Sequence, residues 1–156
     1  MKKYFWGILA LAAVWMIPRL SHPAVDIGKL EPVETVLLTV EEQGISIKTD
    51  TGAEGYGVTL EEAVTALMAQ ADSNVYLDTA NKLLVSGDAE AYWGEIFNLF
   101  RPSCRVYGVN GNVNPEEATA YLSVHENGVT LNRLRAGEKE WCILIVEEGR
   151  GRCVRE

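Results

Sequence analysis

The amino-acid sequence predicts an α+β fold: a mixed, mostly antiparallel sheet with amphipathic helices packed on one face. Three observations point there. Residues 44–50, GISIKTD, alternate Ile45, Ile47 and Thr49 with Ser46, Lys48 and Asp50. That period of two marks a strand with one face in a core and the other in water. Leu60, Ala63, Val64, Leu67, Met68 and Ala71 recur three and four residues apart, an apolar stripe wide enough to lie on a sheet. Along the chain the predicted elements run ββαβαβααβ, so helices of this kind have a sheet to cover.

The elements follow in order. Val33–Val40, VETVLLTV, is β-branched and apolar and predicts the first strand. EEQG turns the chain into Gly44–Asp50, completing a hairpin, and TGAEGYG reads as a glycine-rich loop. Thr59 with Glu62 three residues later forms a capping box that opens the first helix. The segment NVYLDTANKLLVSG, residues 74–87, is apolar at both ends and polar in the middle. Two short strands, Val75–Leu77 and Lys82–Val85, fit it best, with Asp78–Asn81 as a bend or bulge between them. Asp88 is placed to cap a second helix over Ala89–Phe100, whose Tyr92, Trp93, Ile96, Phe97 and Phe100 form an aromatic stripe read as core. Pro102 stops it.

Arg105–Val109 predicts another strand. Asn114, Pro115 and Glu117 then combine a cap, a proline at the first helical position and an acid three residues past the cap. Ala118, Tyr121 and Leu122 give that helix its buried side and Gly128 is read as its end. Thr130 is a cap for a short helix with Leu131 and Leu134, and residues 141–146, WCILIV, predict a central strand.

The chain has 156 residues, enough for one domain with its own core. Its net charge of −8 disfavours nucleic acid and anionic lipid headgroups as partners. Lys2 and Lys3 precede an uncharged apolar run, residues 4–17, with Pro18 and Arg19 after it. Residues 1–24 are therefore expected to be a signal peptide or an N-terminal membrane anchor that places the remainder outside the cytoplasm. Residues 25–32 read as a linker and 33–156 as a single domain. The membrane is an expected partner through the apolar run.

The sequence holds no catalytic constellation. His22 and His125 have no cysteine or second histidine beside them, so no metal site is expected. Ser73, Ser86, Ser103 and Ser123 sit in no nucleophile-elbow motif. The acid pairs Glu61–Glu62, Glu116–Glu117 and Glu147–Glu148 fall at helix starts or in a turn, where capping and solvation account for them. TGAEGYG lacks the Lys-Ser or Lys-Thr of a phosphate loop. No catalytic residue, metal or cofactor is expected, and no turnover. Cys104, Cys142 and Cys153 match no metal spacing. Outside the cytoplasm a bridge between Cys142 and Cys153 is possible, against the alternative of free thiols.

The stretch from Val58 to Val106 resembles the N-terminal domain of the spore-germination Ger(x)C family, the C-subunits of germinant receptors. The matching positions are the Thr-led start Thr59–Ala63, then Val75, Tyr76, Leu77, Lys82, Leu84, Val85 and Gly87 of an extended segment, and Arg101 after the following helix. The preceding hairpin and GVTLNRLRAGEKEWCILIVEEGRG, residues 128–151, are similar too. The resemblance implies a non-enzymatic, extracytoplasmic protein at the membrane, in or near a germinant receptor, with the integral-membrane receptor subunits as partners and Asp78–Asn81 as a structural feature. It carries over no ligand-binding residue. The other reading the residues leave open is a secreted or anchored module that binds peptide or glycan through a sheet edge or the TGAEGYG loop.

Overall fold

The hairpin expected at 33–50 forms, and the sheet is built outward from it. The computed structural model describes residues 30–71, 74–110, 113–125, 127–138, 142–147 and 150–155. The signal peptide or anchor expected at 1–24 lies outside the described residues. Strands are β1 (Leu30–Pro32), β2 (Thr35–Glu41), β3 (Gly44–Thr49), β4 (Glu54–Gly57), β5 (Asn74–Tyr76), β6 (Lys82–Ser86), β7 (Arg105–Val109), β8 (Val129–Thr130), β9 (Cys142–Glu147) and β10 (Arg150–Arg155). Helices are α1 (Leu60–Gln70), α2 (Trp93–Leu99), α3 (Pro115–Leu122) and α4 (Leu131–Arg135). Short 3-10 turns occupy Leu77–Thr79 and Glu90–Tyr92.

The architecture is α+β, with a mixed sheet of mostly antiparallel strands. Eight strands join in the order β10-β9-β7-β6-β2-β3-β4, with β8 paired to β7. Four pairings are antiparallel. The three at the centre, β2 with β6, β6 with β7 and β7 with β9, are parallel. Parallel neighbours need a crossover, and the intervening helices provide it. A separate two-stranded parallel sheet joins β1 to β5, so strand pairing begins at Leu30, inside the segment expected to be linker.

Register divides the strand residues between two faces. Val36, Leu83 and Val106 lie in one row; Leu37, Leu84, Tyr107 and Cys142 lie in the next. The first row belongs to a core with Leu60, Ala63 and Leu67 of α1, Ile96 of α2 and Leu131 of α4. The second row belongs to a different core, with Leu144 and with Ala118 and Leu122 of α3. The expectation that all helices share one face is therefore corrected: α3 covers the other. The physical reason is that the central strands are apolar on both sides, and each side needs cover.

Helix ends follow the local chemistry. Thr59 accepts from the Glu62 amide at 3.2 Å, and the Glu62 carboxylate accepts from the Val58 amide at 2.9 Å. Asn114 accepts from the Glu116 amide at 3.0 Å, with Pro115 at the first helical position. Helix α3 stops at Leu122 rather than running to Gly128. Gly128 instead allows a close approach. A Cβ there would lie 2.5 Å from the Tyr107 ring, so the chain passes too near for any side chain.

Candidate functional site

The polar interruption at Asp78–Asn81 is the place where the chain changes sheets. Before it, β5 pairs with β1; after it, β6 enters the centre of the large sheet. Leu77–Thr79 makes one 3-10 turn, closed by the Ala80 amide donating to the Leu77 carbonyl at 3.0 Å. The Thr79 hydroxyl accepts from the buried Val33 amide at 3.0 Å and donates to the Tyr76 carbonyl at 2.6 Å. The Asn81 amide donates to the Glu34 carbonyl at 3.0 Å. Asp78 is exposed and pairs with Arg101 at 3.4 Å. The four residues thus serve different partners, and the turn binds the new strand to the residues that open β2.

A second polar group lies where the parallel strands begin. Thr35, Lys82 and Arg105 open β2, β6 and β7 in register. Lys82 is 4% exposed, and its ammonium donates to the carboxylate of Glu34, which is 47% exposed. Asp50 reaches back from the end of the hairpin and accepts from the Glu34 and Thr35 amides, each at 3.2 Å. Burial raises the Asp50 carboxyl above its ordinary value; the backbone hydrogen bonds oppose this, and the nearby Glu34 charge reinforces it. From α3, the Thr119 hydroxyl donates to Thr35 Oγ1 at 2.6 Å. Open α/β sheets receive ligands at the carboxyl ends of their parallel strands, and this group sits at the amino ends. Its bonds tie the hairpin, β6 and α3 together. Nothing in the sequence singles these residues out beyond Lys82 standing at the head of the apolar run LLV.

The remaining reactive groups are dispersed. Cys104 is a free, buried thiol, and burial pushes its pKa up to about 12, so it is protonated and a poor nucleophile at neutral pH. Cys142 is disulfide-bonded; the side chain of Cys153 lies outside the described residues. Cys142 and Cys153 stand on neighbouring strands β9 and β10, where Cys153 faces Leu144 and Arg155 faces Cys142. His125 stacks on Tyr121 with centroids 4.4 Å apart, and Nδ1 lies 3.2 Å from the Tyr121 carbonyl oxygen. Among the described residues no group of three His, Cys, Asp or Glu side chains is arranged to hold a metal ion. No helix among them is long and apolar enough to cross a membrane.

The feature best suited to contact lies between α1 and α2. Leu60, Glu61, Val64 and Thr65 form one wall and Glu95, Asn98 and Leu99 the other, enclosing about 390 Å³. The sequence pattern assigns Val64 and Met68 to the sheet-facing stripe with Leu60, Ala63 and Leu67. Instead Leu60, Ala63 and Leu67 are buried, Val64 is half-buried and Met68 is 43% exposed. A second surface is β4, which lies at the end of the strand order and displays Tyr56 at 53% exposure, its hydroxyl bonded to the Gln43 carbonyl at 2.8 Å.

Comparison of this chain with protein-family models, with curated proteins and with solved structures returns no match.

Proposed function

We propose that this chain is a non-enzymatic, extracytoplasmic, membrane-associated protein that acts by protein–protein contact as a component or accessory of a spore-germination receptor. The observation that carries the contact reading is the groove between α1 and α2, an apolar floor with acidic edges that no described residue covers. The extracytoplasmic address is supported by the disulfide at Cys142, since disulfides persist in oxidising compartments. Cys142 with Cys153 is the pairing this reading proposes. The link to germination rests on the residues from Thr59 to Arg101 that resemble the Ger(x)C N-terminal domain.

The test is a time course of expression together with co-purification from spore membranes. Expression confined to sporulation and recovery with the integral-membrane receptor subunits supports the proposal; steady expression in vegetative cells overturns it. The intact mass of the exported protein reads the bridge as a deficit of two hydrogens, and the same spectrum reads cleavage of the N-terminal segment.

The second reading, a peptide- or glycan-binding module unrelated to germination, draws on β4, an edge strand with an exposed tyrosine. Binding of an oligosaccharide or extended peptide that is lost in Tyr56→Ala, with no receptor subunit recovered, would favour it.

A further inference from the structure

We infer that the α1–α2 groove receives an amphipathic helix of a partner protein whose apolar face is flanked by Lys or Arg. This deepens the contact reading above and rests on it. Among the described residues, part of the apolar surface of α1 is left without a partner. Helix α1 needs Leu60, Ala63 and Leu67 to cover the sheet. Val64 lines the groove one turn on from Leu60 and is half-buried, and Met68 follows a further turn along the same stripe, beyond the groove's lining. Met68 remains exposed, and Leu99 supplies the opposite wall. A stripe of this spacing between two helices matches the face that an amphipathic helix presents.

The edges of the groove fix the charge of the occupant. Glu61 projects from α1 and Glu95 from α2; both are exposed. Helices α1 and α2 together contain three acidic residues, Glu61, Glu62 and Glu95, and no lysine or arginine. Glu62 is engaged in the capping box. Some other surface acids have cations beside them, Glu54 with Lys48, Asp78 with Arg101 and Glu138 with Arg133, while Glu41, Glu42, Glu116 and Glu117 are exposed without an ion pair among the described residues, and none of these four lines the groove. No ion pair joins Glu61 or Glu95 to a cation among the described residues. Opposite charge on the partner is the arrangement that satisfies both carboxylates.

The same features disfavour other occupants. A second copy would set acid against acid. Anionic lipid headgroups meet the same repulsion. A small molecule finds an open groove whose polar groups lie along its edges rather than converging on a point, and Thr65 already donates to the Glu61 carbonyl at 2.8 Å.

The test uses the full chain, isotope-labelled, titrated with a synthetic helical peptide bearing leucines on one face and lysines on both flanks. An otherwise identical peptide with glutamates for lysines, and phosphatidylglycerol vesicles, are the comparison probes. The expected result is amide shifts at residues 60–68 and 95–99 with the lysine peptide and none there with the other two. Glu61→Lys with Glu95→Lys is expected to weaken the lysine peptide about fivefold to tenfold, the scale of two exposed ion pairs made repulsive. Glu116→Lys with Glu117→Lys changes net charge equally, away from the groove, and is expected to leave binding unchanged. Met68→Glu, at an exposed site one turn beyond the groove's lining, is expected to weaken binding less than the groove pair does. Shifts scattered over other acidic surfaces, equal weakening by the two charge-reversal pairs, or vesicle binding at the groove would each overturn the inference. Co-purification separates the two proposals. If the Glu61→Lys/Glu95→Lys chain still comes down with the receptor subunits, the groove is wrong and the contact function stands. If the peptide binds as expected but the chain is made in vegetative cells, the germination reading falls and the groove's chemistry remains.

Discussion

Gly55 lies so close to Leu67 that a Cβ on the glycine would sit 2.3 Å from the Leu67 backbone nitrogen, and 2.3 Å from the Ala63 carbonyl oxygen. Gly57 meets the amide of Ala63 in the same way, at 2.5 Å. These two glycines are the reason α1 can press directly on β4. Backbone atoms cannot swing aside as a side chain would, so Gly55→Ala is expected to destabilise the protein by about 2–3 kcal/mol or more. Gly94 is the control of opposite sign: it lies in α2, and a Cβ there meets nothing within 4 Å. Gly94→Ala is expected to stabilise by about 0.5 kcal/mol, through lost freedom in the unfolded chain. Urea unfolding of both variants checks the pair; equal effects would show that α1 does not pack on β4 as described.

Thr79 holds the sheet change in place by binding Val33, whose amide is buried and has the Thr79 hydroxyl as its acceptor. Thr79→Val keeps the shape and removes the acceptor, leaving a buried donor unmet. A loss of about 1–3 kcal/mol is expected. Thr79→Ser keeps the hydroxyl and is expected to lose less. If valine and serine behave alike in thermal unfolding, the hydrogen bond contributes nothing.

Much of this architecture is legible locally, and what is not legible is long-range. Thr59 with Glu62, Asn114 with Pro115, and Thr130 each open a helix in the sequence and in the structure, because a cap acts within four residues. The glycines of TGAEGYG read as a loop, yet residues 54–57 form β4. Their spacing of two is the signal: Gly55 and Gly57 both face α1, so glycine marks close packing there rather than a bend. The cover on both faces is also written in Leu37 beside Val36 and Leu84 beside Leu83, apolar neighbours that point to opposite sides of a strand. The pairing of β1 with β5, and of Lys82 with Glu34 across 48 residues, depends on tertiary contacts that no local pattern encodes. The groove is hidden because a spacing of three and four gathers Val64 with Ala63, and only packing separates them.

The ion pair of Lys82 and Glu34 is unequal, and the two partners are expected to respond unequally. Glu34 is half in water, so Lys82→Met leaves a carboxylate that solvent can receive, and the cost is expected to be about 1 kcal/mol or less. Glu34→Ala strands a buried ammonium, and about 3 kcal/mol is expected. The double variant is expected to recover part of that loss, since it removes the stranded charge. Additive losses in a double-mutant cycle would show that the pair does not interact.

Asp50 gives the pH test. Burial, reinforced by the Glu34 charge, raises its carboxyl above the ordinary 3.8 in spite of the amides it accepts from. The folded state then holds the proton more tightly than the unfolded chain does. Stability from this group is full below pH 3.8 and is lost as pH rises through the folded value. Asp50→Asn keeps an oxygen that accepts from the Glu34 and Thr35 amides and removes the titration. The variant is therefore expected to gain on the wild-type protein as pH rises from 3.8, and to hold a constant lead once Asp50 is ionised. Urea midpoints of both proteins across this range give the difference, with the acids that do not interact with Asp50 cancelling. Parallel curves would mean that Asp50 titrates alike in both states. A variant that falls behind as pH rises would mean that the amide hydrogen bonds outweigh burial and that the carboxyl is lowered instead.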